Sequence, residues 1–287
     1  MDLSNRDRYL DLMTKILTNM IYGDAPNDHW NTGPFQSNLR SEGQDWPAVA
    51  HTMVGVKRLA NVRNLAQRAL DEAIPGDFIE TGIWRGGCCI MMRAVLAANG
   101  VRDRKVYGCD SFEGLPPPNP ELYPSDEGLD LSVYKQLAAG LDDVKENFRK
   151  YDLLDDQVVF VKGYFEKTLP SLDAGPFALL RLDGDLYEST YLALQHLYPK
   201  VSPGGFVIID DYEVLPQCKR AVQDYREQFG ITDPVYPIDW SGVWWQKGGG
   251  ANTRPEISGK SFRARLRKAR NHLATKLSPQ VRLEKTP

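Results

Sequence analysis

A chain of 287 residues with 42% hydrophobic residues, 24 Gly and 19 Pro has a globular composition and is long enough for one large α/β domain or two small ones. Its net charge of -3 conceals a split: residues 250–287 carry 10 Lys and Arg against Glu256 and Glu284, a net of +8, which leaves -11 on the first 249. No uncharged apolar run reaches the ~20 residues of a membrane-spanning helix, the acidic opening MDLSNRDRYLDL is unlike a signal peptide, and Cys88, Cys89, Cys109 and Cys218 form neither a CxxC pair nor a Cys/His cluster. A disulfide framework and a zinc site are thereby disfavoured, and a cytoplasmic protein with its cysteines in the core is expected.

Leu10, Met13, Ile16, Leu17, Met20 and Ile21 recur at helical spacing and predict a helix over 5–21. From Tyr22 to Trp46 the periodicity gives way to Gly, Asn, Pro and scattered aromatics, the composition of a loop that covers a site. A helix over 48–73 follows, and then short apolar strands alternate with helices. Strands are expected at 77–81, 105–110, 158–162, 177–182 and 206–210, with helices at 88–98, 132–150, 189–198 and 216–229. The last two strands, 235–238 and 243–247, are separated by four residues, too few for a helical crossover, and must form an antiparallel hairpin. Seven strands ending in a hairpin describe an α/β fold of the class I S-adenosylmethionine (SAM) methyltransferase type, a Rossmann-like sheet with N-terminal helices and a lid. The expected division is 1–75 for helices and lid, 76–247 for the core and 248–287 for a basic extension.

The first strand runs into Glu80-Thr81-Gly82-Ile83-Trp84-Arg85-Gly86-Gly87, a glycine turn of the kind that lets backbone approach a ligand at a strand end. It is not GxGxxG, and the acid before the glycine suits an amino group. Asp110, ending the second strand, can accept hydrogen bonds from ribose hydroxyls or close an Asx turn. Two acidic pairs carry the strongest signal: LDGD places Asp183 and Asp185 beyond the fourth strand, and VIIDD places Asp210 and Asp211 beyond the fifth. Neighbouring strands lie ~4.8 Å apart, so these carboxylates need protons or a cation. All-oxygen ligands select a hard divalent ion, magnesium before calcium or manganese. Asp183, Asp210 and Asp211 are assigned to the metal and Asp185 to the general base for deprotonating an unactivated hydroxyl, which a methyl donor then alkylates.

The segments TMVG (52–55), ETGIWRGG (80–87), YGCDSFEGLP (107–116), KGYFEKTLP (162–170), LRLDGDLYEST (180–190) and GGFVIIDDY (204–212) resemble the macrocin O-methyltransferase (TylF-like) family over about residues 8–247. That resemblance implies a SAM- and Mg2+-dependent enzyme methylating sugar hydroxyls of antibiotics. It implies SAM contacts at Thr52, Met53, Glu80, Thr81, Gly82, Ile83, Trp84, Asp110, Ser111, Phe112, Glu113 and Gly114, and repeats the metal and base assignments. It further implies a mobile lid at 22–46, a glycosylated small-molecule acceptor and a homo-oligomer. A catechol-type O-methyltransferase and a non-catalytic SAM-binding module are the alternatives. A nicotinamide-dependent oxidoreductase ranks below both.

His51, beside TMVG, reads as structural before it reads as an acceptor contact. One of Trp244 and Trp245 belongs in the core. Phe262, Leu266, Ala269, Leu273 and Leu277 are spaced as a basic amphipathic helix that could dock on the acidic body, a partner subunit or an anionic membrane, with nucleic acid not expected as a partner.

Overall fold

The computed structural model describes residues 4–28, 30, 31 and 33–248. The expected C-terminal basic helix lies outside these residues. Helix α1 (Asn5–Leu17) is capped by Ser4, whose Oγ accepts from Asp7 N at 3.1 Å, and it buries Leu10, Met13 and Leu17. It ends earlier than its apolar pattern suggests because Asn19 takes a left-handed φ of 50°. Ile21, beyond the helix, is exposed, as is Ile16 on its outer face.

The segment expected to be pure loop contains helix α2 (Ser37–Glu42), pinned from below by Arg40. That side chain is fully buried; Nε donates to both Asp45 oxygens at 2.9 Å, while Nη1 donates to Asp24 at 2.7 Å and to the Thr18 carbonyl. Helix α3 (Gly55–Asp71) starts seven residues later than expected. Residues 47–50 are held in a non-helical path instead: Asp24 accepts from Val49 N and Ala50 N, and Arg85 donates to the carbonyls of Pro47 and Ala50.

Strands β1 (Asp77–Thr81), β2 (Val106–Asp110), β3 (Val158–Lys162), β4 (Phe177–Leu182), β5 (Val201–Ile209), β6 (Tyr236–Pro237) and β7 (Val243–Gln246) form one sheet in the order 3-2-1-4-5-7-6. β7 runs antiparallel to both β5 and β6, as the short connection requires. Helices α4 (Gly87–Ala98) and α5 (Leu141–Arg149) join α1 and α3 on one face; α7 (Tyr187–Leu197) and α8 (Pro216–Gln228) cover the other, and a short α6 (Phe165–Thr168) precedes β4. Side-chain alternation divides the core accordingly, Phe78, Leu179 and Ile208 packing toward α3 and α4 and Ile79, Leu180 and Val207 toward α7 and α8. All four cysteines are buried and unpaired. Trp245 is wholly buried, while Trp244 lies under Tyr236 and Arg68.

The expected helix over 132–150 is realised only as α5. Asp130 accepts from both N and Oγ of Ser132, and Trp84 Nε1 takes the carbonyl of Gln136 at 2.9 Å, so tertiary bonds override a plausible helical pattern before Gly140. The chain winds outward from β1 to β3 on one side and from β4 to β5 on the other, so the order reverses between β1 and β4. Ligands bind beyond strand ends at such a switch point.

Candidate active site

A cavity of about 710 Å3 opens over the C-terminal ends of the strands, between the 22–54 segment, the 114–137 segment and the β6–β7 turn. Its floor is the glycine turn. Asp110 Oδ2 accepts from Ile83 N at 2.8 Å and Trp84 N at 3.2 Å, while Oδ1 accepts from Phe112 N at 2.7 Å. Asp110 thus closes an Asx turn and clamps the turn after β1, while still lining the cavity. Gly82 cannot be replaced without displacement: at φ 77°, a Cβ would stand 1.7 Å from the Asp183 carbonyl oxygen. The turn after β1 is therefore packed directly on the acidic edge after β4.

Of the expected cofactor residues, Thr52, Met53, Glu80, Gly82, Ile83, Trp84, Asp110, Ser111 and Gly114 line the cavity. Thr81, Phe112 and Glu113 do not. Thr81 is buried, Phe112 packs edge-on against Phe160, and Glu113 faces Lys162 at 3.5 Å. His51 Nδ1 lies 2.7 Å from the Tyr151 hydroxyl, away from the cavity wall, and burial with Lys150 and Arg85 nearby lowers its pKa to about 4. It is a neutral structural residue.

At the acidic edge, Asp183, Asp185 and Asp211 each bring one carboxylate oxygen within 4.8 Å of the others, a group able to hold a metal ion. Burial raises the pKa of Asp183 to about 6, with repulsion from Asp210, and that of Asp185 to about 8, with repulsion from Asp183. Burial and repulsion from Asp185 hold the Asp211 carboxyl well above the usual carboxylate range, and its Oδ2 is buried without a hydrogen-bond partner. Asp210 is placed differently: Oδ1 accepts from Arg181 Nη2 and Oδ2 from Arg58 Nη1. Arg58 also reaches Asp239 at 3.1 Å, and Ser241 Oγ donates to the Asp210 carbonyl, so the β6–β7 turn buttresses this edge.

Arg58 and Arg181 are not among the ligand residues that the sequence motifs assign. A charge between Leu180 and Leu182 in an otherwise apolar strand was a signal for Arg181, whereas Arg58 sits on an amphipathic helix distant in sequence and announces nothing. Aromatic side chains form the walls of the cavity. Trp46 packs edge-on between Trp30 (4.7 Å) and Tyr134 (5.5 Å), and Trp240 donates from Nε1 to the Glu42 carbonyl.

A seven-stranded sheet with an antiparallel seventh strand, a glycine turn after β1 and acids at the tips of β2, β4 and β5 define a class I SAM-dependent methyltransferase fold. The family model for macrocin O-methyltransferase (TylF) matches residues 25–247, and the chain belongs to that family, whose members are O-methyltransferases. It is 47% identical over 248 residues to demethyldecarbamoylnovobiocin O-methyltransferase of Streptomyces niveus, covering 85% of this chain and 95% of that relative. It is 51% identical over 243 residues to 8-demethyl-8-(2,3-dimethoxy-alpha-L-rhamnosyl)-tetracenomycin-C 4'-O-methyltransferase of Streptomyces olivaceus, covering 84% and 93%. The structure of the O-methyltransferase NovP superposes with a TM-score of 0.82 at 47% identity, covering 85% of this chain and all of that one. Among the described residues no helix is long and apolar enough to cross a membrane.

Proposed function

We propose that the protein transfers the methyl group of SAM to a sugar hydroxyl of a glycosylated small molecule, with a divalent ion, magnesium first, at the Asp183–Asp211 edge. The observation that carries the metal reading is the convergence of three carboxylate oxygens on a cavity wall, one beside the buried, unpartnered Asp211 Oδ2. Such a donor set suits a hard cation. Asp183 and Asp211 would hold the ion, with Asp210, whose oxygens accept from Arg181 and Arg58, as the third ligand the sequence motif assigns. A coordinated hydroxyl is more acidic than a free one, which is the chemistry the ion supplies. Asp185 takes the proton. Its carboxylate converges with those of Asp183 and Asp211 on the cavity wall, within reach of a hydroxyl bound there.

Glu80, at the cavity wall, is the partner for the α-amino group of SAM, and Asp110 the partner for its ribose. Bound SAM supplies a sulfonium methyl, and the protein contributes alignment and the exclusion of water by Trp46, Trp84, Tyr134 and Trp240. The acceptor is read as a glycoside rather than a nucleotide sugar on charge grounds. The cations among the described lining residues are Arg58 and Arg181, both already bonded to carboxylates, so neither is spare for a diphosphate. The relatives' names, one specifying a rhamnosyl acceptor and another the 3'' position of mycinamicin III, point the same way. EDTA-stripped protein should lose methyl transfer to a deoxyhexosyl glycoside and recover it with Mg2+. Full turnover after exhaustive stripping would overturn the metal's role, and preferential methylation of a catechol would overturn the acceptor class.

A further inference from the structure

Arg181 lies in β4, directly opposite Glu80 of β1, and its side chain is 1% exposed. Nη1 donates to Glu80 Oε1 at 2.5 Å and to Asp183 Oδ2 at 2.9 Å; Nη2 donates to Asp210. One guanidinium therefore joins Glu80, the carboxylate proposed for the amino group of the cofactor, to two carboxylates of the acidic edge. Glu80 has one further bond, from Cys89 Sγ at 2.9 Å to Oε2. Asp210 is also held by Arg58, but Glu80 and Asp183 share Arg181 alone among the ion pairs of the described residues.

We infer that Arg181 is a positioning residue that couples the two ligand sites, so that the divalent ion and the amino group of the cofactor bind antagonistically through it. This rests on the SAM and metal reading above. Each cation competes for carboxylate charge that Arg181 now neutralises. A guanidinium keeps its proton at any accessible pH, and its Nη1 is shared between Glu80 and Asp183. An N–H displaced from Asp183 is thrown onto Glu80, and one displaced from Glu80 onto Asp183 and Asp210. The second cation therefore meets a carboxylate held more tightly than the first did. By linkage the effect is reciprocal: the factor by which Mg2+ weakens the cofactor is the factor by which the cofactor weakens Mg2+.

The test is calorimetric titration of the full chain with S-adenosylhomocysteine, with and without saturating Mg2+, and with Mg2+, with and without saturating S-adenosylhomocysteine. This probe keeps the amino group but lacks the sulfonium charge, so repulsion between the sulfonium and the ion does not contribute. The wild type should show about fivefold weakening in both directions. In Arg181→Lys, whose single ammonium cannot fork between Glu80 and Asp210, and in Arg181→Met, the ratio should fall to within about twofold of one. A merely structural Arg181 would weaken both affinities in the variants and leave their ratio as in the wild type, which overturns the inference. A wild-type ratio of one, with both ligands bound, also overturns it while leaving the SAM and metal reading intact. Failure of the wild type to bind either ligand would overturn both.

Discussion

Asp185 takes a left-handed backbone conformation, φ 57°, three residues beyond the end of β4, and its carboxylate converges with those of Asp183 and Asp211. Non-glycine residues in that region carry strain that persists where surroundings over-determine it, commonly at functional sites. Asp185→Asn should reduce kcat by about 10²- to 10⁴-fold while leaving S-adenosylhomocysteine affinity within about twofold; retention of full turnover would remove Asp185 from the role of base. Gly82→Ala places a Cβ against the Asp183 carbonyl and should cost at least tenfold in cofactor affinity, measured by calorimetry. The acids of LDGD and VIIDD were legible in the sequence because strand ends announce themselves by an apolar run stopping in charge. What was not legible was the division of labour among them. Asp210 and Asp211 are adjacent in sequence, yet one is committed to two arginines and the other has a bare oxygen, a difference set by partners in α3 and β4.

Among the elements, the covering segments differ most from their sequence patterns. The 22–46 stretch reads as an irregular lid, yet Arg40 with Asp24 and Asp45 fastens its base to α1 through the Thr18 carbonyl and to the 49–50 backbone through Asp24. Ion pairs between residues up to 16 apart leave no periodic trace. Arg40→Met strands two buried carboxylates and should destabilise the protein by about 3–5 kcal/mol in urea denaturation, with faster amide exchange across 22–50; unchanged stability would mean that the anchor is redundant. The second cover, 114–140, misled in the opposite direction. Leu131, Tyr134 and Leu137 mimic a helix face, but these residues line the cavity, and Trp84 and Asp130 hold the backbone open. Trp84 thus connects the glycine turn to one cover while Arg85, stacked 4.1 Å over its ring, connects it to the other.

Across the whole molecule, the parallel sheet was readable because each strand is a local apolar run and each crossover is long enough for a helix, with the terminal hairpin fixed by its short link. The price of the site is electrostatic. Asp183, Asp185 and Asp211 have folded pKa values raised above those of unfolded carboxylates, so these three groups bind more protons in the ion-free folded chain than in the unfolded chain from about pH 4 to about pH 8. Stability contributed by these groups is therefore present at low pH and lost as pH rises through that window. Differential scanning fluorimetry in EDTA should show Tm falling from pH 6 to 8.5, with Mg2+ restoring an increment that grows with pH, since the ligands must be ionised to bind. An increment independent of pH would contradict the metal assignment. The central claim, methylation of a sugar hydroxyl, is tested most directly by offering methyl-labelled SAM and Mg2+ with a deoxyhexosyl glycoside, its sugar-free aglycone and the matching nucleotide sugar. Label should appear on the sugar ring of the glycoside alone, and label on the aglycone or transfer to the nucleotide sugar at a comparable rate would contradict it.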